Sequence, residues 1–170
     1  MTEYRFHPMT EEYAAEISTW KYPEPYSLYS MEHSDEDIAE LMNGDYFYAL
    51  DMQNALAGFI CKGNSARVPG GVQAGLYDDA DVMDMGLGLR PDVTGRGKGR
   101  DFLLEGIAFL KERFEPKRLQ LVVALFNKRA IAVYERSGFV KGKKFSSKVG
   151  ERDMEFVAMH FTGGITDDNT

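Results

Sequence analysis

Apolar residues fall into two rhythms along this chain. Leu103, Ile107, Leu110 and Phe114 return every three or four positions, the period of one helix face, and predict a helix over 100–114. Leu119, Leu121, Val123 and Leu125 alternate instead, with Val122 and Ala124 apolar between them, which suits a strand buried on both faces. Between 46 and 63 two apolar runs flank the polar pair Gln53-Asn54 and read as a hairpin. Val82–Leu89 is a further strand, and 139–145 with 154–161 form a closing hairpin.

Start and stop signals supply the rest. Residues 4–9 read as a first strand halted by Pro8. Thr10 caps a helix whose first turn is acidic, and this helix should run to about Thr19. Ser34 opens a second helix with Ile38, Leu41 and Met42 as its apolar stripe, ended by Asn43-Gly44. Asn127 opens a short helix closed by Gly138. Residues 64–80 are polar and glycine-rich and read as a loop. The order is β-α-α-β-β-β-α-β-α-β-β: a mixed α/β single domain with about four helices. The strand–helix–strand unit around residue 95 implies one parallel pair and a right-handed crossover in an otherwise mostly antiparallel sheet. The domain should cover 1–161, with 162–170 as a loose tail.

The junction between strand and long helix carries the first candidate chemistry. Thr94-Gly95-Arg96-Gly97-Lys98-Gly99-Arg100 places three glycines at two-residue spacing ahead of the helix. Glycines let backbone approach a ligand, and a helix start offers unpaired N–H groups, so the pattern suits a phosphate. A P-loop is excluded, because Asp92 stands where its first glycine belongs and Gly99 follows Lys98. A dinucleotide fingerprint is excluded because its third glycine would fall on Arg100.

Composition narrows the class. With 170 residues, 44% hydrophobic, the chain can bury a sizeable core. The single cysteine, Cys61, excludes an intramolecular disulfide and a cysteine-rich metal site, and no His/Cys/Asp cluster has ligand spacing, so no metal is expected. No apolar run approaches a membrane span and the N-terminus is polar, so no membrane association and a cytoplasmic setting are expected. A pI near 5.0 and no basic aromatic platform argue against nucleic acid. Residues 1–94 carry 5 Lys+Arg against 17 Asp+Glu, while 95–170 carry 15 against 10. An acidic first half would attract a cationic co-substrate; two solvated charged surfaces would give the same count.

The loop resembles the pyrophosphate loop of the GNAT superfamily of N-acetyltransferases, [R/Q]-x-x-G-x-[G/A], with Thr94 in the place of Arg or Gln. The segment from Asn127 to Phe139, with Asn127, Ala130, Tyr134, Arg136, Gly138 and Phe139, is similar to the family's N-x-x-A-x-x-x-Y-x-[K/R]-x-G-F, every fixed position filled. The element order also matches over nearly the whole chain. The resemblance implies an acetyl-CoA-dependent N-acetyltransferase acting on a primary amine by direct transfer in a ternary complex. It implies CoA on Leu87, Gly88, Leu89, Thr94, Gly95, Arg96, Gly97, Lys98, Gly99, Arg100 and Asn127. Tyr134 would be the general acid, although a core aromatic is its plainer reading, and Asn127 could equally be an N-cap. Asp84 stands where relatives often carry a Glu used as base; Glu24, Glu32, His33, Asp78 and Asp79 are other candidates.

Trp20, Tyr22, Tyr26 and Tyr29 gather around Pro23 and Pro25 and would either wall an acceptor pocket or cover the core. Acceptors in view are a small cationic amine or a protein amine, N-terminal or lysine. A non-catalytic acyl-CoA-binding module and a homodimer are the remaining alternatives.

Overall fold

The computed structural model describes residues 2–163. Among the described residues, seven strands and five α-helices follow in the order β1 (Arg5–Pro8), α1 (Glu11–Ser18), α2 (Asp35–Leu41), β2 (Tyr46–Leu50), β3 (Leu56–Lys62), α3 (Pro69–Gln73), β4 (Val82–Leu89), α4 (Gly99–Phe114), β5 (Arg118–Ala124), α5 (Lys128–Arg136), β6 (Phe139–Val149) and β7 (Arg152–Phe161). The strand order is β1-β2-β3-β4-β5-β7-β6. β4 and β5 run parallel, and the β1–β2, β2–β3, β5–β7 and β6–β7 pairs are antiparallel. The mixed α/β class with one parallel pair is as the sequence predicts.

The described residues form two compact units, one of residues 2–61 and 87–109, the other of residues 62–86 and 110–163. In the first, α1 and α2 begin as their sequences dictate. The Thr10 hydroxyl accepts from Tyr13 N, and Ser34 and Asp37 form a reciprocal capping box. The core combines Ile17, Leu41, Phe47 and Ile60 with Phe102, Leu103 and Ile107 of α4. Phe6 lies 5.6 Å from Phe102 and 5.3 Å from Phe109. Each such buried side chain contributes about 1.5–3 kcal/mol. β1 ends on Pro8, opposite Phe47, as the sequence predicts, and it lies at the end of the strand order, where a proline is tolerated.

The second unit is centred on β5, whose Leu119, Leu121, Val123 and Ala124 are buried, with Phe145 stacked on Phe156 at 5.8 Å. The β6–β7 hairpin is longer than its alternation suggests and carries a register shift between Lys141 and Lys144. Gly142 sits at that shift, where a Cβ would come within 2.6 Å of His160 Nε2. The expected loop over 64–80 contains α3. Pro69 opens it, and Gly70 donates its N–H to Ser147 Oγ at 2.8 Å. A Cβ on Gly70 would lie 2.0 Å from Ser146 O, so only glycine fits. Five residues with two glycines have little helical tendency of their own, and tertiary contact holds this turn. The expected tail begins tied, since Thr162 N donates to Gly138 O at 2.7 Å; its residues 164–170 lie outside the described ones.

Candidate active site

In the first unit, β4 ends against β3 at unusually short range. A Cβ on Gly58 would meet Gly88 O at 2.4 Å, and one on Gly88 would meet the Phe59 ring at 2.4 Å. Leu87 and Leu89 flank Gly88 and are half-buried. Arg90 secures the exit: its N–H donates to Ala57 O at 2.8 Å, Nη1 to Leu56 O at 2.8 Å, and Nε to Asp92 Oδ1 at 2.5 Å. That hydrogen bond holds the Asp92 carboxyl below the usual carboxylate range.

Beyond it the loop turns on its glycines. Gly95 and Gly97 take φ of +74° and +76°, a region L side chains rarely adopt. A Cβ on Gly97 would meet nothing within 4 Å, so this glycine supplies backbone conformation rather than relief from crowding. The Thr94 hydroxyl donates to Pro91 O at 2.8 Å, so Thr94 braces the turn. Arg96, Lys98 and Arg100 are exposed, and α4 starts at Gly99 with the N–H of Phe102 donating to Lys98 O at 3.1 Å. Exposed backbone in this conformation, a sixteen-residue helix start and three cations fit a pyrophosphate.

The aromatic segment meets the end of the same strand. The Tyr22 hydroxyl donates to Leu89 O at 2.7 Å, and burial pushes its phenol well above the usual tyrosine range. Tyr29 stands edge-on to Tyr22 at 6.5 Å and is exposed; Tyr26 is half-buried. Trp20 is a core residue, 8% exposed and 6.3 Å from Phe59. The segment therefore divides, with Trp20 covering the core and Tyr22 touching the strand end.

The second unit holds Asp84, Asn127 and Tyr134. Asp84 is 3% exposed. Its Oδ2 lies 2.9 Å from Arg67 Nε, and its Oδ1 accepts from Gln120 Nε2 at 2.7 Å. Gln120 also donates to Leu76 O at 3.1 Å, and the Arg67 guanidinium lies 4.7 Å over the Tyr77 ring. Arg67, Gln120 and Tyr77 are not conspicuous in the sequence. The available signal was Asp84 itself, since a carboxylate on an apolar strand needs a partner. The β4–β5 ladder runs from Val82↔Arg118 to Asp84↔Gln120, while β4 continues to Leu89.

Asn127 caps α5, with Oδ1 accepting from Ala130 N at 3.0 Å. Tyr134 lies on α5, half-buried, its ring 5.9 Å from Phe139. Three of the other base candidates have local duties. His33 Nδ1 is 2.6 Å from Ser18 Oγ, Glu24 accepts from Ser27, and Asp79 pairs with Arg118. The N–H of Asp81, above all, lowers the Asp79 carboxyl, with Arg118 adding to it. Among the described residues, no group of three or more His, Cys, Asp or Glu is placed to hold a metal ion, and no helix is long and apolar enough to cross a membrane.

Comparison with known proteins places these features in a family. Residues 12–139 match the model of the acetyltransferase (GNAT) family, whose enzymes take their acetyl group from acetyl-CoA. A mycothiol acetyltransferase of Salinispora arenicola is 38% identical over 55 residues, 32% of this chain and 18% of that protein, so the match spans under a fifth of the curated relative. The spermidine/spermine N-acetyltransferase SpeG from Vibrio cholerae, crystallised with manganese ions, superposes with a TM-score of 0.69 at 14% identity, covering 99% of this chain and 97% of that one. A SpeG chimera from Vibrio cholerae and hSSAT gives 0.69 at 16% identity over 96% and 98%. At such identity these structures speak for the fold. The family model covers most of the chain, and the chain belongs to the acetyltransferase (GNAT) family.

Proposed function

We propose that this protein transfers the acetyl group of acetyl-CoA directly to the primary amine of a small acceptor, cationic in solution, within a ternary complex. The observation that carries the reading is the Gly95–Gly97 turn, exposed and left-handed at both glycines, leading from β4 into α4. In this reading the backbone of 95–100, with Arg96, Lys98 and Arg100, holds the CoA pyrophosphate. Leu87, Gly88 and Leu89 pair with the pantetheine arm as an added strand. Thr94 contributes by bracing the turn, and Asn127 by fixing the start of α5.

Acetyl-CoA supplies the acetyl group as a thioester. The N–H near Leu87 would donate to the carbonyl oxygen as it gains negative charge. The acceptor nitrogen bonds to the carbonyl carbon as the carbon–sulfur bond breaks, and the Tyr134 hydroxyl gives its proton to the departing sulfur. The amine proton leaves to water or a base. Asp84 is a poor candidate for that base, because both its oxygens are engaged and it is almost fully buried. The acidic balance of residues 1–94 favours approach of a protonated amine. Tyr22 and Tyr29 would face the acceptor, with Tyr26 beside them and Trp20 supporting from the core.

The test is calorimetric titration with acetyl-CoA, followed by thiol release over a panel of polyamines, amino acids, aminoglycosides and peptides. Binding followed by thiol release with a small amine is the expected result. Binding without release on any amine would instead favour an acyl-CoA-binding module, and release only with peptides a protein acetyltransferase.

A further inference from the structure

The strands of the second unit line up a row of polar side chains on one face. Asp84 of β4 pairs with Gln120 of β5, and Gln120 pairs with His160 of β7. Paired residues share a face, so the three stand side by side, with Val82 and Arg118 one step along. The segment before β4 covers this face, where Leu76 O accepts from Gln120 Nε2 at 3.1 Å. A cavity of about 320 Å³ lies there, bordered by Leu76, Asp79, Val82, Arg118, Gln120 and His160, all of the second unit.

Gln120 gives the cavity its chemistry. It is 2% exposed, yet its amide is only half used. Both Nε2 protons are spent, one on Leu76 O and one on Asp84 Oδ1 at 2.7 Å. Both partners are acceptors, so the orientation of the amide is fixed and Oε1 is the atom left over. Oε1 accepts from none of the described residues. Among those residues no side-chain oxygen or nitrogen is sealed from solvent without a partner, so Oε1 opens on the cavity. Asp84 is itself held by Arg67, which keeps the amide in place. A nearly buried acceptor of fixed direction asks for a donor.

The rest of the lining sets the charge and shape. Arg118 and Asp79 are exposed and pair with each other, and both Asp84 oxygens are engaged. A charged ligand would have to break one of these pairs. Leu76 and Val82 offer apolar wall, and the His160 ring, which takes the room that Gly142 leaves on β6, makes no hydrogen bond to a described residue. Apolar side chains beside an imidazole suit a flat ring, and small-molecule sites begin at about 300 Å³. We propose that this cavity binds a small, flat, uncharged molecule, a phenol or an indole-like heterocycle, that donates its O–H or N–H to Gln120 Oε1. The site lies in the second unit alone and stands whether or not the chain transfers acetyl groups.

The experiment follows the Gln120 side-chain amide and the His160 ring by NMR in the full chain. Phenol is titrated against anisole, and indole against 1-methylindole, so each pair differs in one donor. Phenol and indole should shift both signals saturably and bind at least about 5-fold more tightly than their methylated partners, the worth of one neutral hydrogen bond. Gln120→Met removes the acceptor at nearly the same length, and the members of each pair should then bind alike. That variant also takes a partner from Asp84, so Val82→Phe supplies a second reading. It fills the cavity, leaves the Gln120 and Asp84 side chains in the protein, and should abolish binding of both probes. No saturable shift at Gln120, equal affinity within both pairs, or undiminished binding in Val82→Phe overturns the site. Tighter binding of benzoate or benzylamine than of phenol overturns the uncharged class.

Discussion

The glycine loop and the Asp84 cluster use opposite physics. The loop offers exposed backbone: Gly95 and Gly97 in left-handed conformation, and a helix start beyond them. Its side chains brace the turn, as Thr94 and Arg90 do, or stand in solvent. The Asp84 cluster offers side chains alone. A carboxylate 3% exposed is satisfied by Arg67, 17 residues away, and Gln120, 36 residues away. The loop can be copied into any chain as a short string. The cluster exists only after a strand, a loop and a second strand have met.

The largest effect expected of any single change falls on α5. On the proposed mechanism, Tyr134→Phe removes the general acid and keeps the ring that lies 5.9 Å from Phe139. Loss of a general acid lowers kcat by about 10²–10⁴-fold. Affinity for acetyl-CoA should stay within about twofold, because the loop is untouched. Stopped-flow thiol release and calorimetry read the two quantities separately, and a Phe variant as fast as wild type would leave Tyr134 a core aromatic.

Asp84→Ala attacks the cluster. It leaves the Arg67 cation and the Gln120 amide without their buried partner. Removing one member of a buried pair costs up to about 3–5 kcal/mol; with Arg67 one third exposed, about 2 kcal/mol is expected. The thermal midpoint should fall by several degrees. Acetyl-CoA affinity should change little, which separates the cluster from the loop. An unchanged midpoint would mean that the network contributes nothing to folding.

Gly97→Val attacks the loop. A β-branched residue at φ +76° costs about 1–3 kcal/mol, so the turn should adopt another backbone. Acetyl-CoA should bind at least about 10-fold more weakly, while the melting of β5, β6 and β7 stays near wild type. Wild-type CoA affinity in a folded Gly97→Val protein would remove the pyrophosphate from this loop.

What could be read from the chain follows the same division. Residues 100–114 announce their helix because one face must be apolar, and Val82–Leu89 announces its strand for a similar reason. The glycine spacing and the run from Asn127 to Phe139 are local, and both lie where the motifs put them. α3 was illegible, since Pro69-Gly70-Gly71 reads as a loop until Ser147 is beside it. Arg67 was illegible too: nothing in its neighbours marks it, and its importance comes from Asp84. Asp84 reads from the sequence as a candidate base, whereas its partners, Arg67 and Gln120, lie too far along the chain to be read with it.

Tyr22 offers a smaller and sharper test, because it belongs to the loop's unit yet behaves like the cluster, as a half-buried polar group whose hydroxyl has one partner. Its hydroxyl donates to Leu89 O, and burial raises its pKa above the ordinary value of about 10. The folded pKa is raised, so the stability it contributes is present in full below about pH 10. Above that pH the unfolded chain loses its phenol proton while the folded chain keeps it, and stability falls as pH rises. One such group accounts for at most about 1.4 kcal/mol per pH unit. Tyr4 and Tyr77 are raised in the same direction, so wild-type loss alone would not identify Tyr22. The informative quantity is a difference. Tyr22→Phe should be less stable than wild type at pH 7 by about 1 kcal/mol, because Leu89 O loses its donor. Between pH 10 and 11 the gap should narrow, since the variant has one fewer phenol to protect. Thermal melts at stepped pH measure both, and parallel curves for the two proteins would show that the Tyr22 phenol is not held neutral by burial.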